Sequence, residues 1–267
     1  MNSQNPLLLN SQHKTIDVLL PTKGLIYQDS LSKIFEDGAL YEGKVKISEL
    51  TTKDELLWSD EKLTEELKTP IIILNNIVKG LKRAELLARV DVEYLLLIAR
   101  KLTYGDYTEI NWECDECGNI NSQQVLFDSL GVKYLESTAE LILNLDNFNI
   151  YITPLRYDEA VEIKKLNVND NIAEQLDKII SCIQYVDILG QDGNIVQKVT
   201  DKRFIAEWVE NMNPRDFQVV LEKFEKVNKY GVDTIKKVRC QKCNVESETE
   251  VFVDISNFFS KEDGMKD

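Results

Sequence analysis

The residues best able to do chemistry are four of the five cysteines, arranged as Cys114-Asp115-Glu116-Cys117 and Cys240-Gln241-Lys242-Cys243. A Cys-x2-Cys pair turns the backbone so that both sulfurs face one point. Two such pairs supply the tetrahedral four-thiolate shell of a structural Zn²⁺. Val125-Leu126-Phe127-Asp128 follows the first pair at the same distance as Val251-Phe252-Val253-Asp254 follows the second. Each copy therefore predicts strand, knuckle, strand, the two halves of a divided zinc ribbon. A contiguous ribbon separates its pairs by roughly 15–20 residues. Here residues 118–239 intervene, so the rest of the chain has to bring the halves together. The alternatives are a redox Cys-x2-Cys pair, which needs only one such motif, and two separate sites each completed by another subunit.

Other chemistry is poorly supplied. His13 is the only histidine, so triads and histidine-based catalytic metal sites lack their parts. Neither Gly-x-Gly-x-x-Gly nor a Walker motif occurs. Asp60-Glu61 with Glu65-Glu66 resembles a set of carboxylates for acid–base work, but solvated helix faces account for it better. Trp58, Trp112 and Trp208 read as core, and Cys182, in a helical context, as a small buried hydrophobe. The expectation is a protein that is not an enzyme. A net charge of −14 opposes a nucleic-acid scaffold, since phosphate binding needs clustered Lys and Arg. Lys236, Lys237, Arg239 and Lys242 make a small basic group, offset by Asp115, Glu116, Glu246 and Glu248. No apolar run approaches the roughly 20 residues of a membrane span, and the N-terminus lacks a signal-peptide layout. Paired cysteines in such a chain suit metal in a reducing compartment.

The elements that must position the knuckles can be read in order. Residues 1–14 are polar and aperiodic, a flexible arm. Thr15–Leu20 is a strand stopped by Pro21 and turned through Thr22-Lys23-Gly24, and Lys44–Leu50 is a second β segment. Thr52 with Glu55 predicts a capping box, after which Leu56, Leu57 and Trp58 turn inward. Further helices are expected from Pro70 to Val78 and over Asp91–Arg100, the latter dense in apolar residues and so central. After the first knuckle come Leu141-Ile142-Leu143 and an alternating segment, Asn149–Ile152, halted by Pro154. Apolar residues at three- and four-residue steps predict one long helix over 156–189. A turn at Gln191-Asp192-Gly193-Asn194 leads to helices over 201–211 and from Asn213-Pro214 to Tyr230. Strand Asp233–Val238 then enters the second knuckle. The fold class is α+β, a mainly helical protein with a small β zinc ribbon split by a helical insert. Its parts are residues 15–130 with the first knuckle, the insert 131–232, and 233–267 with the second knuckle and a C-terminal strand.

The order of Leu20-Pro21-Thr22-Lys23-Gly24-Leu25-Ile26-Tyr27, a β segment, Leu50-Thr51-Thr52-Lys53-Asp54-Glu55, the block Asp91-x2-Tyr94-Leu95-Leu96-x3-Arg100-x3-Tyr104-Gly105 and the knuckle resembles the T4-like phage baseplate hub family. The tail of the second knuckle, to Asn257-Phe258-Phe259, is similar to that family's ending. The resemblance covers most of residues 15–130 and 233–259, and none of the insert. It implies a structural or assembly protein of the hub in a contractile phage tail, without catalytic activity. Its partners would be other tail or hub proteins, including the tape-measure protein, in the host cytoplasm during assembly or in the virion tail. Two readings from other classes stand beside it. One is a zinc-ribbon adaptor of transcription or replication machinery, which needs a basic face. The other is a dithiol redox protein, which needs an open sulfur site. Leu25, Ile26 and Tyr27 beside the Gly24 turn, with Phe258-Phe259, are the expected anchors for a partner; the alternative is that they cover this protein's own ribbon.

Overall fold

The structure, a computed structural model, describes residues 13–166 and 171–251. Most of the expected arm and the C-terminal residues from Phe252, including Phe258 and Phe259, therefore lie outside the described residues. At the start, β1 (Thr15–Leu19) pairs antiparallel with β2 (Lys44–Ser48), and α1 (Leu31–Ile34) lies between them in sequence. Gly43 holds the return turn at φ +77°, and a Cβ there would stand 2.8 Å from the Lys23 carbonyl oxygen, so only glycine fits without displacement.

Next come α2 (Thr52–Leu56), α3 (Glu61–Glu65), α4 (Thr69–Ile77) and α5 (Arg89–Tyr104). The capping box of α2 lies one residue earlier than predicted. The Thr51 hydroxyl accepts from the Asp54 N–H at 3.3 Å, and the Asp54 carboxylate accepts from the Thr51 N–H at 2.9 Å. Asp54 is buried and takes a further bond from Asn76 at 3.0 Å, so the register follows the carboxylate with a buried partner. Leu56, expected inside, is exposed, while Leu57 and Trp58 pack half-buried on the core.

The first knuckle sits between β3 (Tyr107–Glu113) and β4 (Ile120–Leu126), and β5 (Val132–Lys133) follows. The segment expected to be a helical insert then departs from expectation. It contains β6 (Ile142–Leu145), β7 (Phe148–Ile152), α6 (Tyr157–Leu166), α7 (Asn171–Cys182), β8 (Ile183–Leu189) and β9 (Ile195–Val199). The four strands form one antiparallel sheet in the order β6-β7-β8-β9. The long helix predicted over 156–189 thus ends as a strand. Ile183 and Val186 continue the helical spacing by coincidence, but Ile183-Gln184-Tyr185-Val186-Asp187-Ile188 is rich in β-branched and aromatic residues. Pairing with β7 across Phe148↔Ile188 and Ile150↔Val186 outweighs the local pattern.

The chain closes with α8 (Lys202–Glu210), α9 (Pro214–Val227), β10 (Gly231–Val232), β11 (Ile235–Arg239) and β12 (Glu246–Glu250). Asn213 caps α9 by accepting from Arg215 and Asp216 N–H, with Pro214 in the first turn. β10 pairs with β5, so the chain that leaves near Val132 returns beside it.

Two apolar cores result. The larger joins Leu20, Phe35, Ile47, Ile73, Leu74 and Leu95 to Leu141, Ile150, Ile152, Ile179, Val220 and Val227, so the sheet and helices after residue 131 share one interior with the first hundred residues. The smaller holds Leu97, Ile110, Val125, Phe127, Leu130, Val238 and Val251. Helix α5 serves both: Leu95 and Leu96 face the larger core and Leu97 the smaller.

A buried polar clasp fixes the Pro21–Tyr27 loop to the same helix. Asp91, in the first turn of α5, accepts from Thr22 N–H at 3.0 Å, Thr22 Oγ1 at 2.5 Å and Tyr27 Oη at 2.6 Å. Tyr27 Oη accepts from the Ala88 N–H at 2.8 Å. Burial, and after it the Asp91 charge, push the Tyr27 phenol well up, so it stays a donor. Tyr27 is therefore not a surface anchor: it is 2% exposed, and Leu25 and Ile26 pack half-buried against the larger core. A phenol with a carboxylate partner can be buried without an orphaned hydroxyl.

Candidate metal centre

Each knuckle is a short turn between two strands, and the two turns are built alike. In the first, Cys114 N–H donates to Asn119 O at 2.9 Å and Gly118 N–H to Cys114 O at 2.8 Å. In the second, Cys240 N–H donates to Val245 O at 2.9 Å and Asn244 N–H to Cys240 O at 3.0 Å. Both turns close through the left-handed region, with Gly118 at φ +64° and Asn244 at φ +60°; glycine and asparagine are the residues that tolerate it. The hairpin β3-β4 and the hairpin β11-β12 are thus copies of one unit, packed face to face across the smaller core.

This packing brings all four sequence-predicted cysteines together. Their sulfurs lie within 4.8 Å of one another, with Cys114 to Cys243 and Cys117 to Cys240 each at 3.6 Å. A disulfide needs about 2.05 Å, so neither contact is a bond. Sulfurs at the corners of a tetrahedron around Zn²⁺, with Zn–S of about 2.3 Å, stand about 3.8 Å apart. The observed spacing fits such an ion, and the donor set fits a soft or borderline metal. Cys114 and Cys240 are buried, Cys117 is half-buried and Cys243 exposed, so the site lies at the edge of the ribbon.

The four sulfurs are not electrostatically equal. Backbone amides of Cys243 and Lys242 favour the thiolate at Cys240 and lower its pKa to about 6. The Val245 amide favours the thiolate at Cys243, but desolvation and the neighbouring sulfurs override it and push the thiol up to about 12. Four negative sulfurs at this spacing repel one another, and a divalent cation among them removes the conflict. With four sulfur ligands the shell is closed, an arrangement suited to holding structure rather than to activating water.

Sequence reasoning missed the contacts that join the two knuckles. Asn121 is 1% exposed. Its Oδ1 accepts from Gln241 N–H at 2.9 Å and Asn119 Nδ2 at 3.0 Å, and its Nδ2 donates to Asn119 O at 2.9 Å. Gln241 Nε2 reaches Ser122 O at 3.3 Å. A polar residue at an inward position of a strand beside a knuckle was the available signal. Elsewhere, Cys182 is buried against Asn228 and its thiol is pushed up by desolvation to about 12, which leaves it inert. Asp60 is exposed and caps α3 through Leu63 N–H, with Glu61 and Glu65 exposed beside it. Among the described residues, no helix is long and apolar enough to cross a membrane.

The family model described as "T4 bacteriophage base plate protein" matches residues 32–260. No curated protein and no solved structure matches the chain.

Proposed function

This chain belongs to the T4 bacteriophage base plate protein family, and from that premise we propose that it is a structural or assembly protein of the baseplate hub in a contractile phage tail. It acts by binding other tail proteins, the tape-measure protein among them, in the host cytoplasm during assembly and in the tail. Cys114, Cys117, Cys240 and Cys243 hold one structural Zn²⁺.

One observation carries the reading: the family match runs from residue 32 to residue 260 and so encloses both knuckles and all that lies between them. The four-sulfur cluster is therefore inside the family's own region and not an appended module. Zn²⁺, when bound, supplies a fixed tetrahedral junction between two chain segments. The chain's residues do the rest: Val125, Val238 and Val251 bury the seam, and Asn121 bonds across it. A closed shell offers no position for substrate, which is why the reading places function in binding and not in catalysis.

The test is affinity purification of the tagged protein from phage-infected cells, with mass spectrometry of its partners and elemental analysis of the purified chain. Hub or tape-measure proteins should co-purify, and zinc should be present at about one per chain. Absence of every tail protein from the eluate would reject the proposed role. A pair of thiols that cycles with oxidant in the absence of metal would favour the redox reading instead.

A further inference from the structure

The metal ligands explain what the two hairpins share but not what sets one against the other before or beside the metal. Four cysteines on two independent turns must converge to within a few tenths of an ångström for tetrahedral binding. The turns come from distant parts of the chain, so their mutual orientation is fixed neither by the local backbone nor by the knuckles themselves.

We propose that Asn121 is the positioning residue that docks the second knuckle on the first, so that the metal affinity of the four-cysteine site depends on a side chain that is not a ligand. The inference rests on the reading of that cluster as a metal site. Its basis is geometric. Asn121 lies on β4, directly after the first knuckle. Its Nδ2 bonds Asn119 O, the same carbonyl that accepts Cys114 N–H and closes the first turn. Its Oδ1 accepts the Gln241 amide, the residue next to Cys240 within the second turn. One planar amide thus ties the closing carbonyl of one knuckle to the opening peptide of the other.

The arrangement is one-sided. The residue at the corresponding place in the second hairpin is Ser247, which has no side-chain amide, so the buried amide of the joint comes from the first hairpin and the second answers only through Gln241 Nε2 on Ser122 O. Burial adds to the effect. Asn121 is 1% exposed, so water does not readily replace its bonds, and losing the side chain leaves the Gln241 N–H short of a partner. Residues that orient metal ligands without touching the metal typically change affinity by about 10–100-fold when mutated.

The test uses the full chain. Zinc affinity is read by competition with a chromogenic chelator, and the joint itself by hydrogen exchange at the Gln241 amide in the protein as purified. Asn121→Ala is expected to bind one zinc per chain at saturating metal, with affinity lowered about 10–100-fold and faster exchange at Gln241. Exchange in β7 and β8 should not change. Asn121→Leu fills nearly the same space without an acceptor or a donor and is expected to leave Gln241 as unprotected as Asn121→Ala does, whereas a merely space-filling role would restore the protection. Unchanged zinc affinity in Asn121→Ala overturns the proposal, as does parent-level protection of Gln241 in Asn121→Leu. If the parent binds no zinc yet loses Gln241 protection on Asn121→Ala, the zinc reading falls and the docking role stands.

Discussion

At the scale of single residues, the cysteines and the Asp91 clasp make opposite use of charge. The cysteines need a cation to be ionised together, so Cys117→Ser or Cys243→Ser should each release all the zinc, as elemental analysis would show. Retention of half the metal in either variant would mean two sites rather than one. Asp91 is a buried carboxyl that desolvation raises from 3.8 to about 6, against the opposing bonds from Thr22 and Tyr27. Since its folded pKa lies above the unfolded one, the folded state holds the proton more tightly. The group therefore contributes most stability below the ordinary carboxyl range and loses it as pH rises through about 4 to 6. Relative to Asp91→Asn, the parent should gain stability in urea unfolding, on the order of 1 kcal/mol, on going from about pH 7 to about pH 5. A gap that does not change between the two would remove Asp91 as the cause. Tyr27→Phe deletes one charged-partner bond and leaves Ala88 N–H without its acceptor, which should cost about 1.5–3 kcal/mol; a loss below about 0.5 kcal/mol would show that water replaces the hydroxyl.

At the scale of elements, α5 is the part through which the two cores meet. Consecutive leucines point to different interiors, because a helix turns about 100° per residue and the ribbon and the main body lie on different sides of it. Leu95→Ala and Leu97→Ala remove the same atoms but should act differently. The first should lower global stability by about 2–5 kcal/mol. The second should chiefly speed amide exchange in β3, β4 and β11, with β7 and β8 protected as in the parent. Equal exchange effects across both regions would show that the cores unfold as one. The same helix explains why the motifs near residues 20–27 and 91–104 sit far apart in sequence: Thr22, Tyr27 and Asp91 are two sides of one contact.

At the scale of the whole molecule, the ribbon has the smaller of the two cores and takes one of its two hairpins from a distant part of the chain. Metal removal should therefore open it first. With a zinc chelator, amides of residues 107–126 and 235–250 should lose protection while those of β7, β8 and α5 keep theirs; simultaneous loss in all of them would make the metal a requirement for the entire fold. The sequence by itself determined which four cysteines come together, the doubled strand-knuckle-strand pattern, the two helices near 202–227 with Asn213 as the cap of the second, and the central apolar helix. These depend on local spacing and turn chemistry, which short stretches of chain encode. It did not determine that residues 183–189 leave helical spacing for a strand, because only the pairing of Val186 and Ile188 with β7 makes that choice. Nor did it place Tyr27 inside, since the carboxylate that permits a buried phenol comes from a helix more than sixty residues away. The joint at Asn121 was likewise hidden, because a strand residue acquires a polar partner only when a second hairpin arrives opposite it. Tertiary structure decided each of these for one physical reason: burial of a polar group or an apolar face is favourable only when its complement is present, and the complement lies on another part of the chain.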